Sequence, residues 1–200
     1  MSAPTLVLAT ANRHKFAEML LALGPLPLRI LSLADFPEAP EVEEDADDYA
    51  ANARKKAVAC RAATGFPSLA DDSGLEVDAL DGAPGVRSKR YGGEATGFGE
   101  KMARILGALE GRADTERAAR FRCAVALALP DGRVVVEEGA CEGRIARAPR
   151  GAGGFGYDPI FIDSTTGRTF AEMAPEEKLP QSHRGRALAK IRPVIEALAR

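Results

Sequence analysis

The chain has 200 residues, 46% of them apolar, and sets 27 Lys and Arg against 29 Asp and Glu for a formal charge of −2. That length and apolar content suit one large domain or two lobes sharing a core, and the near-neutral charge argues against nucleic-acid binding through a basic, counterion-displacing surface. No apolar run approaches the about 20 residues that cross a bilayer, no basic-then-apolar export segment opens the chain, and three cysteines without paired spacing suggest neither disulfides nor zinc, so a cytoplasmic protein with no membrane partner is expected.

Thr5 to Ala9 reads as a buried strand. Arg13 to Leu23 places Phe16, Met19, Leu20 and Leu23 at helical spacing, with Asn12 as N-cap, until Gly24-Pro25 stops it. Leu28 to Leu31 is a second short strand. An acidic, proline-rich loop (Glu38, Glu41, Glu43, Glu44, Asp45, Asp47, Asp48) then leads into an Ala-rich helix from Tyr49 to Ala63, with Asp47 or Asp48 as N-cap and Gly65 past its end. The apolar run Pro67 to Ala70 breaks into a tight turn at Asp71-Asp72-Ser73-Gly74. Gly97 to Leu109 has a one-sided apolar stripe and Gly111 as terminator. Phe121, Cys123, Val125, Leu127 and Leu129 alternate strictly and turn at Pro130-Asp131-Gly132 into Val134 to Val136, an antiparallel hairpin. Ile160 to Ile162 is a further strand, and Ser182 caps a last helix kinked at Pro193. The order gives an α/β fold with a mixed sheet.

Four segments carry chemistry. Adjacent carboxylates at a strand end need a cation, amide donors or open solvent; a solvated turn capped by Ser73 is the ordinary alternative. Thr10-Ala11-Asn12-Arg13-His14-Lys15 opens a helix after a strand, where amides and the dipole favour an anion, although many such turns bind nothing and the P-loop spacing is absent. Gly151-Ala152-Gly153-Gly154-Phe155-Gly156-Tyr157-Asp158-Pro159 contains G-x-G-x-x-G, but no strand leads into it and a proline leaves it, which is wrong for a dinucleotide site. Its glycines suggest backbone that approaches a ligand closely, with Phe155 and Tyr157 free to cover a planar group. Lys178 and Ser182-His183-Arg184 set positive charge at a helix N-terminus, which is unfavourable unless an acceptor sits there.

Taken in order, Leu8 to Asn12 with Lys15, Asn52-Ala53 with Lys56-Ala57, Ala70 to Leu75, Gly82 to Val86, Gly153 to Phe161, and Glu177-Lys178 with Ser182 to Gly185 resemble the inosine/xanthosine triphosphate pyrophosphatase family. Its members hydrolyse non-canonical purine nucleoside triphosphates. Across 1–200 the resemblance implies a single domain, elongated and two-lobed around a mixed central sheet, with a substrate cleft between the lobes, and a homodimer. Matched position by position, Thr10, Ala11, Asn12, Arg13, His14 and Lys15 cradle the triphosphate and Lys56 adds charge. Glu43 and Asp72, with Glu44 as a further candidate, hold Mg2+. Asp72 is also the proton acceptor and Ser73 a substrate contact, while Phe155, Gly156, Tyr157, Asp158, Lys178, His183 and Arg184 bind the nucleotide and its base.

Two positions depart from the family pattern: Ala11 stands where Gly is usual, and Ala51 where many members carry Glu. Cleavage between the α and β phosphates moves negative charge onto departing pyrophosphate, which magnesium and Lys15 and Lys56 suit. Donors such as Arg184 would reward the six-position carbonyl of hypoxanthine or xanthine over the amino group of adenine. The alternatives are a pyrophosphatase for other modified nucleotides and a nucleotide-binding sensor without turnover.

Overall fold

The computed structural model describes residues 3–199. Its elements are β1 (Thr5–Leu8), α1 (Arg13–Leu23), β2 (Arg29–Ser32), α2 (Tyr49–Thr64), β3 (Ser68–Val77), α3 (Phe98–Ala108), β4 (Ala118–Ala128), β5 (Val134–Ile145), β6 (Phe161–Asp163), α4 (Pro175–Lys178) and α5 (His183–Ala197), linked by turns and 3-10 segments. The strands form one sheet in the order β2-β1-β3-β4-β5-β6. β1 is parallel to both β2 and β3, and β5 is antiparallel to β6, so the sheet is mixed. The chain divides into two compact units, one comprising Met1–Asp72, Cys123–Gly139 and Arg184–Arg200, the other Ser73–Arg122 and Ala140–His183.

Handedness arranges the first unit. From β1 through α1 to β2 the chain moves one way across the sheet, and from β2 through α2 to β3 it moves back past β1. Right-handed crossovers running in opposite directions put their helices on opposite faces. On one face Leu6, Leu8, Leu69, Cys123, Val125 and Leu127 pack with Met19 and Leu23 of α1 and Leu188, Ile191 and Ile195 of α5. On the other, Val7, Ala9, Ala70, Ala124, Ala126 and Ala128 pack with Ala53, Ala57 and Cys60 of α2. Small residues fill that second face from both sides, which lets an Ala-rich helix lie close on the strands. The second unit has its own core, in which Leu75, Val77, Ile105, Leu109, Phe121, Phe161 and Phe170 meet.

Local signals set most boundaries. Asn12 caps α1 by accepting from the His14 and Lys15 amides at 2.9 and 3.1 Å. Asp48, rather than Asp47, caps α2, and Gly65 ends it in the left-handed region at φ 75°. Three expectations are corrected. β3 does not turn at Asp71-Asp72-Ser73-Gly74 but runs on to Val77, past the end of its pairing with β1 at Leu69, because β4 lies along its other side and extended backbone keeps that ladder. β5 extends to Ile145, well beyond Val136, since it lies between β4 and β6 in the sheet and its last three residues, Gly143 to Ile145, pair with β6. β6 begins one residue late, at Phe161, after a 3-10 turn over Asp158–Ile160. As expected, α5 carries Pro193 within it and runs to Ala197.

Candidate active site

β1 and β3 are parallel neighbours with Leu8 opposite Leu69. The residues that follow, Thr10 to Asn12 after β1 and Asp71-Asp72 within β3, therefore lie at the same carboxyl-end side of the sheet, where open α/β sheets bind ligands. Period-two alternation then separates the two acids. Asp71 shares the Leu69 face with α1 and α5; Asp72 shares the Ala70 face with α2. They are not a carboxylate pair, as their adjacency in sequence suggests, but one acid for each side.

On the first side Asp71, 2% exposed, accepts from Lys15 at 3.1 Å and from two nitrogens of Arg184 at 3.2 and 3.0 Å. Arg184 also pairs with Glu18. Burial opposes the Asp71 charge, but the Lys15 ammonium and the Arg184 guanidinium outweigh it and hold this carboxyl well below the usual range. Arg184 is itself 2% exposed, and Asp71 and Glu18 keep it charged against its burial. The acceptors that a cation at the start of α5 requires are thus the protein's own carboxylates.

On the second side Asp72 accepts from Asn52 Nδ2 at 3.2 Å and from Lys56 Nζ at 3.0 Å, and Lys56 also meets Glu44 at 2.5 Å. Here the balance is reversed. Burial pushes the Asp72 carboxyl up, and Lys56 and Lys15 offset this only in part, with Glu44 adding repulsion. Lys56 is raised, its three acidic neighbours overcoming its burial. Glu43 is exposed. Among the described residues no group of three or more His, Cys, Asp or Glu side chains gathers as for a metal. In the connecting loop Thr10 is buried and its Oγ1 accepts from the Asn12 amide at 3.2 Å, while Ala11, Asn12, Arg13 and His14 are exposed and Lys15 half-buried.

In the second unit the glycine-rich loop has internal reasons for its glycines. A Cβ on Gly151 would strike the backbone of Ala171, and one on Gly154, at φ 68°, the carboxylate of Asp158. The close approach is therefore to the protein's own groups. Buried Asp158 accepts from the Phe155 amide at 2.8 Å and from Lys178 Nζ at 2.6 Å. Lys178 lies 5.2 Å from the ring centroids of both Phe155 and Phe170, Phe170 stacks on Phe121 at 5.8 Å, and His183 stacks on Phe121 at 4.6 Å. Tyr157 is not free to cover a ligand: it is 3% exposed and its hydroxyl donates to the Ser88 carbonyl at 2.9 Å. Phe155 and Gly156 are half-buried, as is Ser73 in β3.

Sequence reasoning left out several members of these clusters. Glu18 lies one turn after Lys15 on α1, a spacing that marks a shared face. Asn52, a poor helix former inside an Ala-rich helix and four residues before Lys56, was the available signal for the Asp72 contact. Phe121 and Phe170 carry no local signal, being core residues of distant strand and turn.

The Ham1 family model matches residues 6–194. The chain is 49% identical over 193 residues to the dITP/XTP pyrophosphatase of Desulforamulus reducens, covering 96% of each, and 50% identical over 187 residues to that of Geobacter sulfurreducens, covering 94% of each. Among solved structures, a HAM1 protein from Coxiella burnetii superposes with a TM-score of 0.87 at 41% identity, covering 97% of this chain and 99% of that one. A family model spanning nearly all of the sequence, together with fold and near-half identity held along the full length, makes this chain a member of the Ham1 family.

Proposed function

We propose that residues 1–200 act as a single nucleoside triphosphate pyrophosphatase domain that hydrolyses dITP, ITP and XTP to the monophosphate and pyrophosphate. The observation that carries the reading is the buried Asp72 carboxylate held by Asn52 and Lys56 beside the loop that opens α1. Lys15 and Lys56, with the Thr10 to His14 loop, receive the polyphosphate and neutralise the charge that builds on departing pyrophosphate. Asp72 accepts the proton of the attacking water, its carboxylate held in place for this by Asn52 and Lys56. Glu44 and Asp72 offer hard oxygens already gathered around one cation, the Lys56 ammonium. Two carboxylates suit magnesium, which keeps waters and phosphate oxygens as its other ligands, with exposed Glu43 one position away. Bound there, magnesium would neutralise phosphate charge as a Lewis acid.

The purine ring is assigned to Phe155, with Lys178 near its face, and with Gly156, Asp158 and His183 supporting that platform; Tyr157 serves from behind, in the core. Arg184 contributes through Asp71, and Ser73 borders the substrate. Three buried cysteines outside any disulfide, Cys60, Cys123 and Cys141, fit a reducing cytoplasm. No described helix is long and apolar enough to cross a membrane. The assembly is proposed to be a homodimer, which light scattering at micromolar concentration tests. The activity is tested by incubating the chain with ITP, dITP, XTP and ATP plus magnesium chloride. Monophosphate and pyrophosphate are expected, with ITP strongly preferred to ATP; diphosphate and phosphate as products, or no purine preference, would remove the reading.

A further inference from the structure

Phe98, the first residue of α3, is 40% exposed, which the core-facing stripe of that helix does not explain. Its ring meets Tyr157 edge-on, at 5.3 Å between centroids and 87° between planes. It is also the nearest group to where a Cβ on Gly156 would sit, at 3.6 Å. One turn along α3, Lys101 is 2% exposed, donates to the Lys89 carbonyl and sets its ammonium 4.8 Å from the Phe98 centroid. Tyr157 is tied in turn to the Ser88 carbonyl, while Ser88 Oγ accepts from the Leu75 amide at 2.9 Å and donates to the Gly85 carbonyl at 2.7 Å. Phe98 is therefore anchored from its own side and packs against the Gly156 end of a loop that Asp158 and Ala171 hold at Phe155 and Gly153.

The loop needs such packing. Gly153, Gly154 and Gly156 give it more backbone freedom than any other residue type would, and Gly154 and Gly156 both sit at positive φ. Freedom left in a ligand-binding loop is subtracted from affinity when the ligand orders it. We propose that Phe98 is a positioning residue for the base site: it fixes Gly156 and Tyr157 so that Phe155, two residues away from Tyr157, presents its ring in the binding orientation before substrate arrives. The proposal rests on the assignment of the purine ring to Phe155.

Two measurements on Phe98→Ala and Phe98→Tyr test it. Amide hydrogen exchange of the free protein follows the Phe155 and Asp158 amides, which are bonded to the Asp158 side chain and to the Phe155 carbonyl. Losing an aromatic pair should speed their exchange about fivefold in Phe98→Ala and leave it unchanged in Phe98→Tyr. Steady-state kinetics with ITP should show KM raised about fivefold in Phe98→Ala, kcat within twofold of wild type, and the inhibition constant of inorganic pyrophosphate, which lacks a base, unmoved; Phe98→Tyr should restore KM. Unchanged exchange at those amides, unchanged KM, or KM and the pyrophosphate constant rising together would each overturn the proposal. If wild type does not cleave ITP, the functional reading fails, and exchange alone still decides whether Phe98 holds the loop.

Discussion

Replacing Arg184 with Met keeps most of the side-chain volume and removes the guanidinium that joins Asp71 to Glu18. Asp71 is 2% exposed and would lose the Arg184 guanidinium while keeping the Lys15 contact. Breaking a buried ion pair by removing one member costs about 3–5 kcal/mol, and the surviving Lys15 contact puts the change near the lower end, about 3 kcal/mol. For a chain of this length that corresponds to roughly 6–12 °C in Tm. The loss should depend on pH. Since Asp71 is held well below the ordinary carboxylate range, its pairing stabilises the fold above the unfolded-state value of about 3.9 and is lost as the pH falls below it. The gap between wild type and Arg184→Met should be full at pH 7 and should narrow as the pH is lowered toward 3. Urea unfolding followed by far-ultraviolet circular dichroism at several pH values measures both quantities. A loss below about 1 kcal/mol, or a gap that does not change with pH, would refute the structural role. If stability were intact while the preference for ITP over ATP collapsed, the guanidinium would be reading the base directly.

Asp72→Asn should fold as well as wild type or better, because burial already disfavours that charge, and should lower turnover by about 10² or more, read as pyrophosphate released from ITP. Gly154→Ala introduces a methyl group into the Asp158 carboxylate at a positive φ; it should raise KM for ITP and lower Tm, and a silent substitution would mean that the Asp158 to Lys178 contact is dispensable. The Cys123 thiol is buried and pushed up to about 12, so it should not react with a disulfide reagent at pH 8 until the protein is unfolded; rapid labelling of Cys123 in the native protein would contradict its place in the core.

Much of the fold could be read locally. Asn12 and Asp48 are caps because their side chains supply an acceptor that the first helical amides lack, and Gly65 ends α2 because only a residue without a Cβ adopts its left-handed backbone cheaply. The misreadings share one cause. Asp71-Asp72-Ser73-Gly74 has the composition of a turn, but pairing with β1 leads the strand as far as Leu69 and β4 on its other side offers a ladder beyond, which outweighs local preference. Val134 to Val136 reads as a complete strand because the residues after it lose their apolar alternation, and it is the place of β5 between β4 and β6 that carries it on to Ile145.

The site divides along the same line. Candidates for chemistry were legible from the sequence: Lys15, Lys56, Asp72, Phe155 and Lys178 stand out by type and by position relative to strand ends and helix starts. What each one faces was not. The sequence by itself determined where most helices begin and end, which faces are apolar, and where charged and aromatic side chains stand relative to helix starts and strand ends, because these follow from interactions between residues a few positions apart. Only the tertiary structure decided that neighbouring Asp71 and Asp72 serve opposite faces of one sheet, that Arg184 is bound by Asp71 and Glu18, and that the glycines of 151–156 make room for Ala171 and Asp158. Those partners are brought together by strand pairing and helix packing across as many as 166 positions of sequence, and no local pattern encodes them.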